Sequence, residues 1–285
     1  MTAAKNKGDP PEKVMENKTN KPYKELDLSN DFLFGKIMQT NPEVCKQLLE
    51  MILGRKITKI GVPDFTEDPE VQKTIRITDD GKGIRLDVYL EGDDTVYDIE
   101  MQTTLNNDLS KRTRYYQGMI DLNLIEKGAA YSQLRKSYII FICLQDPFGR
   151  GRCMYTFENM CLECPGLILQ DGSTKIFLNA SADKAGVPKE LAAFLDYLSG
   201  QPASDPFTKN LDELVNKARE HDEWEVEFMT LLQIKQQERE EGRAEGVDRM
   251  AALTATLLFN GLIKELERAT KDPQYREELF QKYNI

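Results

Sequence analysis

The sequence predicts an α/β (α+β) fold, a mixed sheet flanked by helices and followed by a helical C-terminal region. Three observations carry this reading. Two short capped helical segments precede the strands, IRLDVYLEGDDTVYDIEMQ alternates apolar and polar residues with a period of two, and the apolar run SYIIFICL follows a helix-patterned segment. Within 285 residues, of which 40% are hydrophobic, there is material for one substantial core and a smaller helical unit. Composition divides the chain into a tail (1–24), a core (25–187) and a helical region (188–285).

Residues 1–24 are rich in Lys, Asn, Pro and Glu and have few apolar positions to offset the entropy of ordering, so they are expected to be mobile. In LDLSNDFLFGKIM, Ser29 or Asn30 can cap a helix carrying Phe32, Leu33 and Ile37. Pro42 opens a second helix carrying Val44, Leu48, Leu49 and Ile52, and Gly54 stops it. Strands are expected over Lys56–Val62 and, after a Pro- and Asp-rich loop, over Val71–Ile77.

The alternating stretch defines a hairpin. Ile84, Leu86, Val88 and Leu90 share one face of its first strand, and Tyr97, Ile99 and Met101 share one face of its second. With Asp93-Asp94 as a two-residue loop, Gly92 faces Thr95, Leu90 faces Tyr97, Val88 faces Ile99 and Leu86 faces Met101. The same register sets Asp87 opposite Glu100. A slip of one residue would pair Leu86 with Glu100 and break the apolar face, so the hydrophobic pattern selects this alignment. Leu109 to Lys127 then reads as a helix, with Tyr116, Ile120 and Leu124 on one side and Gly128 as its stop. SYIIFICL reads as a strand buried on both faces. From Pro188 the pattern is helical, and QQEREEGRAEGVDRM predicts an exposed, highly charged helix or pairing element.

Several classes are excluded. The longest apolar run, Tyr138–Leu144, is far short of the roughly 20 residues a membrane helix needs. No signal sequence is recognised at the N-terminus, so a cytoplasmic protein is expected, with its five cysteines as reduced thiols. A net charge of −10 disfavours general adsorption to nucleic acid. Between Leu105 and Tyr155, however, Lys111, Arg112, Arg114, Lys127, Arg135, Lys136, Arg150 and Arg152 face four acidic residues, a local balance of +4. Solvated helix and loop residues would give the same local excess. Cys161-x-x-Cys164 has ligand spacing, but no second such pair follows and the sole histidine, His221, lies far away, so incidental thiols are expected there.

Opposed carboxylates about 5 Å apart repel unless a positive charge sits between them. Mg²⁺ takes one or two carboxylates together with waters and substrate phosphate oxygens, so Asp87 and Glu100 make a sufficient protein set for a phosphodiester site, with Mn²⁺ as a substitute ion. Gln102 shares the face of Glu100, and its amide could orient the attacking water. The same three residues also suit the wet side of an ordinary antiparallel sheet.

RLDVY, a short turn and DIEMQ resemble the D…(D/E)-x-K signature of the PD-(D/E)XK nuclease superfamily. NDFLFGKIM, LSKRTRYYQGMID, GAAYSQLRKSYIIFIC, DPFGRGRCMYTFENMC, IFLNA and EGRAEG extend the likeness from Asp27 to about Arg249 and resemble the recombination-promoting nuclease and transposase (Rpn-like) branch. The resemblance implies a restriction-endonuclease-like core of helix, three strands, helix and strand, and a metal-dependent DNA endonuclease linked to recombination or mobile elements. It implies Asp87 and Glu100 as catalytic metal-binding acids and places Gln102 where the superfamily has lysine. Glutamine brings no charge, so a slow or strictly metal-driven reaction is implied. Asp31 matches an extra acid many such nucleases carry, though the ordinary place of an acid at a helix N-terminus accounts for it better. Arg112, Arg114, Tyr116 and Gln117, on the helix after the motif, are candidates to bind the DNA substrate. Double-strand cleavage by a chain with one site implies a homodimer. Two alternatives stay open: a non-catalytic DNA-binding or interaction module on this fold, and an interaction protein acting through its charged C-terminal helices.

Overall fold

A computed structural model describes residues 21–61, 74–75, 84–85, 87–92, 94–105, 107–125 and 128–285. The predicted mobile tail, residues 1–20 of it, lies outside the described residues, as do Val62, Leu86, Asp93 and most of Val71–Ile77.

The N-terminal helices form from the local signals in the sequence. α1 (Asp31–Thr40) is capped by Asn30, whose side chain accepts from the Leu33 N–H at 3.1 Å. α2 (Pro42–Leu53) has Pro42 in its first turn and ends at Gly54, which takes the left-handed conformation. Over the described residues of the strand expected at Lys56–Val62, Lys56–Gly61, there is no ladder but a single bridge, Gly61 to Glu91. The Ile57 side chain is buried, and its N–H donates to Glu50 Oε1 at 2.9 Å. The backbone donor that a sheet ladder would use is thus taken by the end of α2. Only Thr74–Ile75 (β1) is described within the next expected strand, and it pairs antiparallel with Ile84–Arg85 (β2).

β3 (Val88–Gly92) and β4 (Thr95–Gln102) form the hairpin in the register the apolar pattern requires, with Val88 opposite Ile99, Leu90 opposite Tyr97 and Gly92 opposite Thr95. Asp94 takes a positive φ of 57° within the turn. α3 (Leu109–Leu124) returns the chain so that β5 (Lys136–Cys143) runs parallel to β4. Two further strands, β6 (Met154–Phe157) and β7 (Ser173–Asn179), complete a five-stranded mixed sheet in the order β3-β4-β5-β7-β6.

Helices cover both faces. On one, Leu109, Tyr116, Met119 and Ile120 of α3 pack on Tyr89, Val96, Ile139, Phe141 and Phe177. On the other, α1 packs against β3 and β4. Val88, Leu90, Ile99, Ile140, Ile142 and Leu178 alternate with the first set and are fully buried. α4 (Lys189–Leu198) packs on α2, and α5 (Pro206–Arg219) packs on α1 and α4. Asp205 and Thr208 form a reciprocal capping box at the start of α5. The Tyr23 hydroxyl donates to Ala218 O at 2.6 Å and Arg219 Nε to Leu26 O at 2.7 Å, which ties the first described residues to α5. This compact unit ends at His221.

The second unit, Asp222–Ile285, contains α6 (Asp222–Phe259), α7 (Ile263–Lys271) and α8 (Pro273–Tyr283). Its core is Leu253, Leu257, Ala269, Leu279 and Phe280. The charged stretch of α6 is exposed from Gln233 to Asp248, as its sequence predicts. Among the described residues no helix is long and apolar enough to cross a membrane.

Gly92 marks a close approach. A Cβ there would lie 1.9 Å from the Lys59 carbonyl oxygen, a backbone atom that cannot swing aside, whereas one on Gly61 meets open space. Gly92→Ala is therefore expected to lower stability by about 2–4 kcal/mol in urea unfolding, and Gly61→Ala by less than about 1 kcal/mol.

Candidate active site

The hairpin and α3 together build the acid site. On β4 the even-numbered positions Asp98, Glu100 and Gln102 share the α3-facing side with Val96. Asp87 is a half-buried bend residue just before β3. Its backbone is fixed from both sides of the sheet. Gln39 of α1 donates Nε2–H to Asp87 O at 2.6 Å, and Asp87 N–H donates to Glu100 Oε1 at 3.1 Å. The Asp87 carboxylate in turn accepts from Met101 N–H at Oδ2, 3.0 Å away. Glu100 is thus held by the Asp87 backbone, and Asp87 by the backbone of β4.

α3 brings the counter-charge. Arg112, in its first turns, donates Nη2–H to Glu100 Oε2 at 3.1 Å and to the Tyr116 hydroxyl at 2.9 Å, and Nη1–H to Gln102 Oε1 at 2.8 Å. Its guanidinium lies 5.3 Å from the Tyr116 ring centre and 5.2 Å from that of Phe141. The Tyr116 hydroxyl also reaches Glu100 Oε2 at 3.5 Å. At the other end of its amide, Gln102 donates Nε2–H to Thr104 O at 2.7 Å. Both ends of the Gln102 side chain are therefore engaged, and its oxygen orients Arg112.

Burial, then the charges of Glu100 and Asp31, push the Asp87 carboxyl well above the usual carboxylate range, against the Met101 N–H and Arg112. Glu100 is raised in the same way, by burial first and then by Asp98, against the Asp87 N–H, Arg112 and Tyr116. Burial works against the charge of Arg112, yet Tyr116, Glu100 and Asp87 hold it more firmly protonated than usual.

Asp98 is the residue that sequence reasoning passed over. It is fully buried, and neither carboxylate oxygen has a hydrogen-bond partner among the described residues. Burial and the Asp87 charge push its pKa well up. The available signal was its place on the same face as Glu100, two residues away; the expectation of a wet face concealed it. Gln39 shows a similar gap, since its Oε1 is buried without a hydrogen-bond partner among the described residues while Nε2 pins Asp87.

The other sequence candidates fall at different distances from this centre. Asp31 is near enough for its charge to act on Asp87. Arg114 lies on another side of α3, lining a cleft with Lys111, Tyr115, Gly118, Met119 and Leu122. Gln117 sits toward the opposite end of the sheet, where it bonds Asp121, Ser137 and Ser173 and ties α3 to the starts of β5 and β7. All five cysteines are free; Cys161 donates Sγ–H to Glu163 at 3.4 Å, and Cys164 is exposed.

Among the described residues no group of three or more His, Cys, Asp or Glu side chains stands ready to hold a metal. The donor chemistry of Asp87 and Glu100 nevertheless fits a hard divalent cation, which needs only one or two carboxylates when waters and phosphate complete its shell. Two adjoining carboxyls, each raised by burial and by neighbouring acids, are the groups that such an ion would return to the charged form.

A five-stranded mixed sheet with helices on both faces is consistent with a PD-(D/E)XK fold. Residues 28–160 match the family model of the PD-(D/E)XK nuclease family transposases, and over this stretch the chain carries that family's pattern, as its motifs imply. The matched stretch runs from just before α1 through β6 and contains every acid-site residue described above. Searches of curated proteins and of solved structures return no match.

Removing Arg112 leaves Glu100 buried without its ion-pair partner. Arg112→Met is expected to cost about 3–5 kcal/mol in urea unfolding, and the double variant Arg112→Met/Glu100→Gln to cost less than the sum of the two single changes.

Proposed function

We propose that this chain is a divalent-metal-dependent DNA endonuclease, hydrolysing phosphodiester bonds in recombination or mobile-element movement. The observation that carries the reading is the adjoining Asp87–Glu100 pair, each carboxylate fixed by a backbone N–H from the other's side of the hairpin and Glu100 faced by Arg112. The family match over residues 28–160 supports it, since that family is one of nucleases.

Asp87 and Glu100 are the residues that would hold Mg²⁺, or Mn²⁺ in its place. A bound ion of this kind supplies Lewis acidity and a water of lowered pKa at the phosphate. The protein's own part is positioning and charge. The Met101 and Asp87 N–H groups fix one oxygen of each carboxylate, so the pair keeps its orientation before substrate arrives. Arg112 supplies the fixed positive charge that Gln102 lacks, of the kind that would stabilise negative charge developing on the phosphoryl oxygens. Gln102 is a positioning residue that directs Nη1 of Arg112. Tyr116 holds the other side of the same guanidinium. Two copies of the chain acting on one duplex would supply its two cuts.

A second reading, a DNA-binding or interaction module with little or no turnover on this fold, is favoured by one observation. Both ends of the Gln102 amide are taken up inside the protein, which leaves no group at that position to orient water.

The full chain is expected to nick supercoiled plasmid in Mg²⁺. Asp87→Ala and Glu100→Gln should reduce the rate at least about 100-fold, and Arg112→Met should reduce it by a comparable factor. Cleavage that is equal in the wild type and the first two variants would exclude the acid pair as the site. Absence of cleavage in every divalent metal, with DNA binding retained, would establish the second reading.

A further inference from the structure

β5 ends beside β4, with Leu144 N–H donating to Gln102 O at 3.0 Å. The chain then makes the loop Asp146-Pro147-Phe148-Gly149-Arg150-Gly151-Arg152 before entering β6. This loop therefore leaves the sheet at the same end as the acid site. It faces the β4–α3 junction across a cleft of about 360 Å³, lined by Asn107, Leu109 and Ser110 on one side and Asp146, Pro147 and Phe148 on the other. Arg112 lies less than one helical turn beyond Ser110.

The loop is built to be rigid. The Asp146 carboxylate accepts from Phe148 N–H at 3.0 Å, Gly151 N–H at 2.7 Å and the Tyr155 hydroxyl at 2.8 Å. Gly149 and Gly151 both take positive φ, 63° and 67°, a conformation that favours glycine. Phe148 packs edge-on against Tyr155 and Phe177, with ring centres 4.9 Å away in each case. Where the loop ends, buried Asn179 donates Nδ2–H to Arg152 O at 3.1 Å.

Such a turn requires the aspartate, the glycines and the aromatic anchor, but nothing in it requires Arg150 or Arg152. Both side chains are exposed, and neither has an ion-pair partner among the described residues. The nearby Asp146 is occupied by the loop's own donors. Two uncompensated guanidinium groups on a fixed loop, in a chain of net charge −10, form a local attraction for a polyanion whose charges are regularly spaced.

We propose that the loop Asp146–Arg152 is a phosphate-backbone clamp, with Arg150 and Arg152 holding the nucleic-acid strand that runs across the cleft to the Asp87–Glu100 site. The inference rests on the nuclease reading for its choice of polyanion, but it concerns binding, which is measured separately from cleavage.

The test uses the full chain in Ca²⁺, with a fluorescent 30-base-pair duplex and the matching single strand as two arms that tell which form is held. Affinity is followed by anisotropy over a series of salt concentrations. In Arg150→Gln/Arg152→Gln the slope of log affinity against log salt is expected to shrink by about 2 in magnitude, one for each lost phosphate contact, on whichever form binds. Lys209→Ala/Lys217→Ala removes the same charge from exposed positions on α5 and should leave the slope unchanged. An unchanged slope in the loop variant, an equal drop in the α5 variant, or no binding of either nucleic acid by the wild type would overturn the clamp. An unchanged melting temperature in the loop variant keeps a misfolded loop from imitating the result. Wild-type cleavage in Mg²⁺ is scored on its own, so a failed nuclease that still shows the slope change is told apart from a failed clamp on a working nuclease.

Discussion

Glu100 is buried between β4 and α3, and a carboxylate in that position needs a positive partner inside the same layer. Arg112 meets the need from one place only, the first turns of α3, so the helix has to begin where its fourth residue can reach the end of β4. The rest of that face follows. Tyr116 is one turn further along and closes over the guanidinium, Phe141 lies beneath it, and Gln102 holds its outer nitrogen. With α3 anchored there, its apolar residues Tyr116, Met119 and Ile120 cover the strands, and β5 is carried back parallel to β4.

The arrangement sets the cost of the site against the stability of the core. Asp87, Asp98 and Glu100 gather on one side of the hairpin, and Arg112 is the cation that the structure places among them. Asp98 in particular is enclosed with neither oxygen bonded among the described residues, a condition that an ordinary core residue would not keep. A divalent ion between Asp87 and Glu100 would ease the same imbalance that Arg112 eases at Glu100. Electrostatic relief and the fixing of the acid pair are therefore the same requirement here, which is why this end of the hairpin is so closely specified by hydrogen bonds from α1, β4 and α3.

Much of this was legible in the residues. The register of β3 with β4 follows from period-two alternation, because a slip of one residue would have put Glu100 against an apolar side chain, and Asp87 came next to Glu100 as a result. Asn30, Pro42 and Gly54 marked the bounds of α1 and α2 through local chemistry. The strand expected over Lys56–Val62 failed for a reason that no local pattern carries, the capture of the Ile57 N–H by Glu50. β6 and β7 were not read as strands, since their segments are short and flanked by loop residues; their pairing is supplied by β5.

The sequence alone determined which residues could share a strand face and where the helices start and stop, because both depend on repeats and caps spanning a few neighbouring positions. It therefore named Asp87, Glu100 and Gln102 as a set. Only the tertiary structure decided that this face is covered rather than wet, since α3 folds over it from residues beyond the hairpin, and that covering turned Asp98 from a surface acid into a buried one. It also decided that a positive charge stands at Gln102 after all, delivered by Arg112 across space. Side chains ten positions apart meet only once α3 has packed on the sheet.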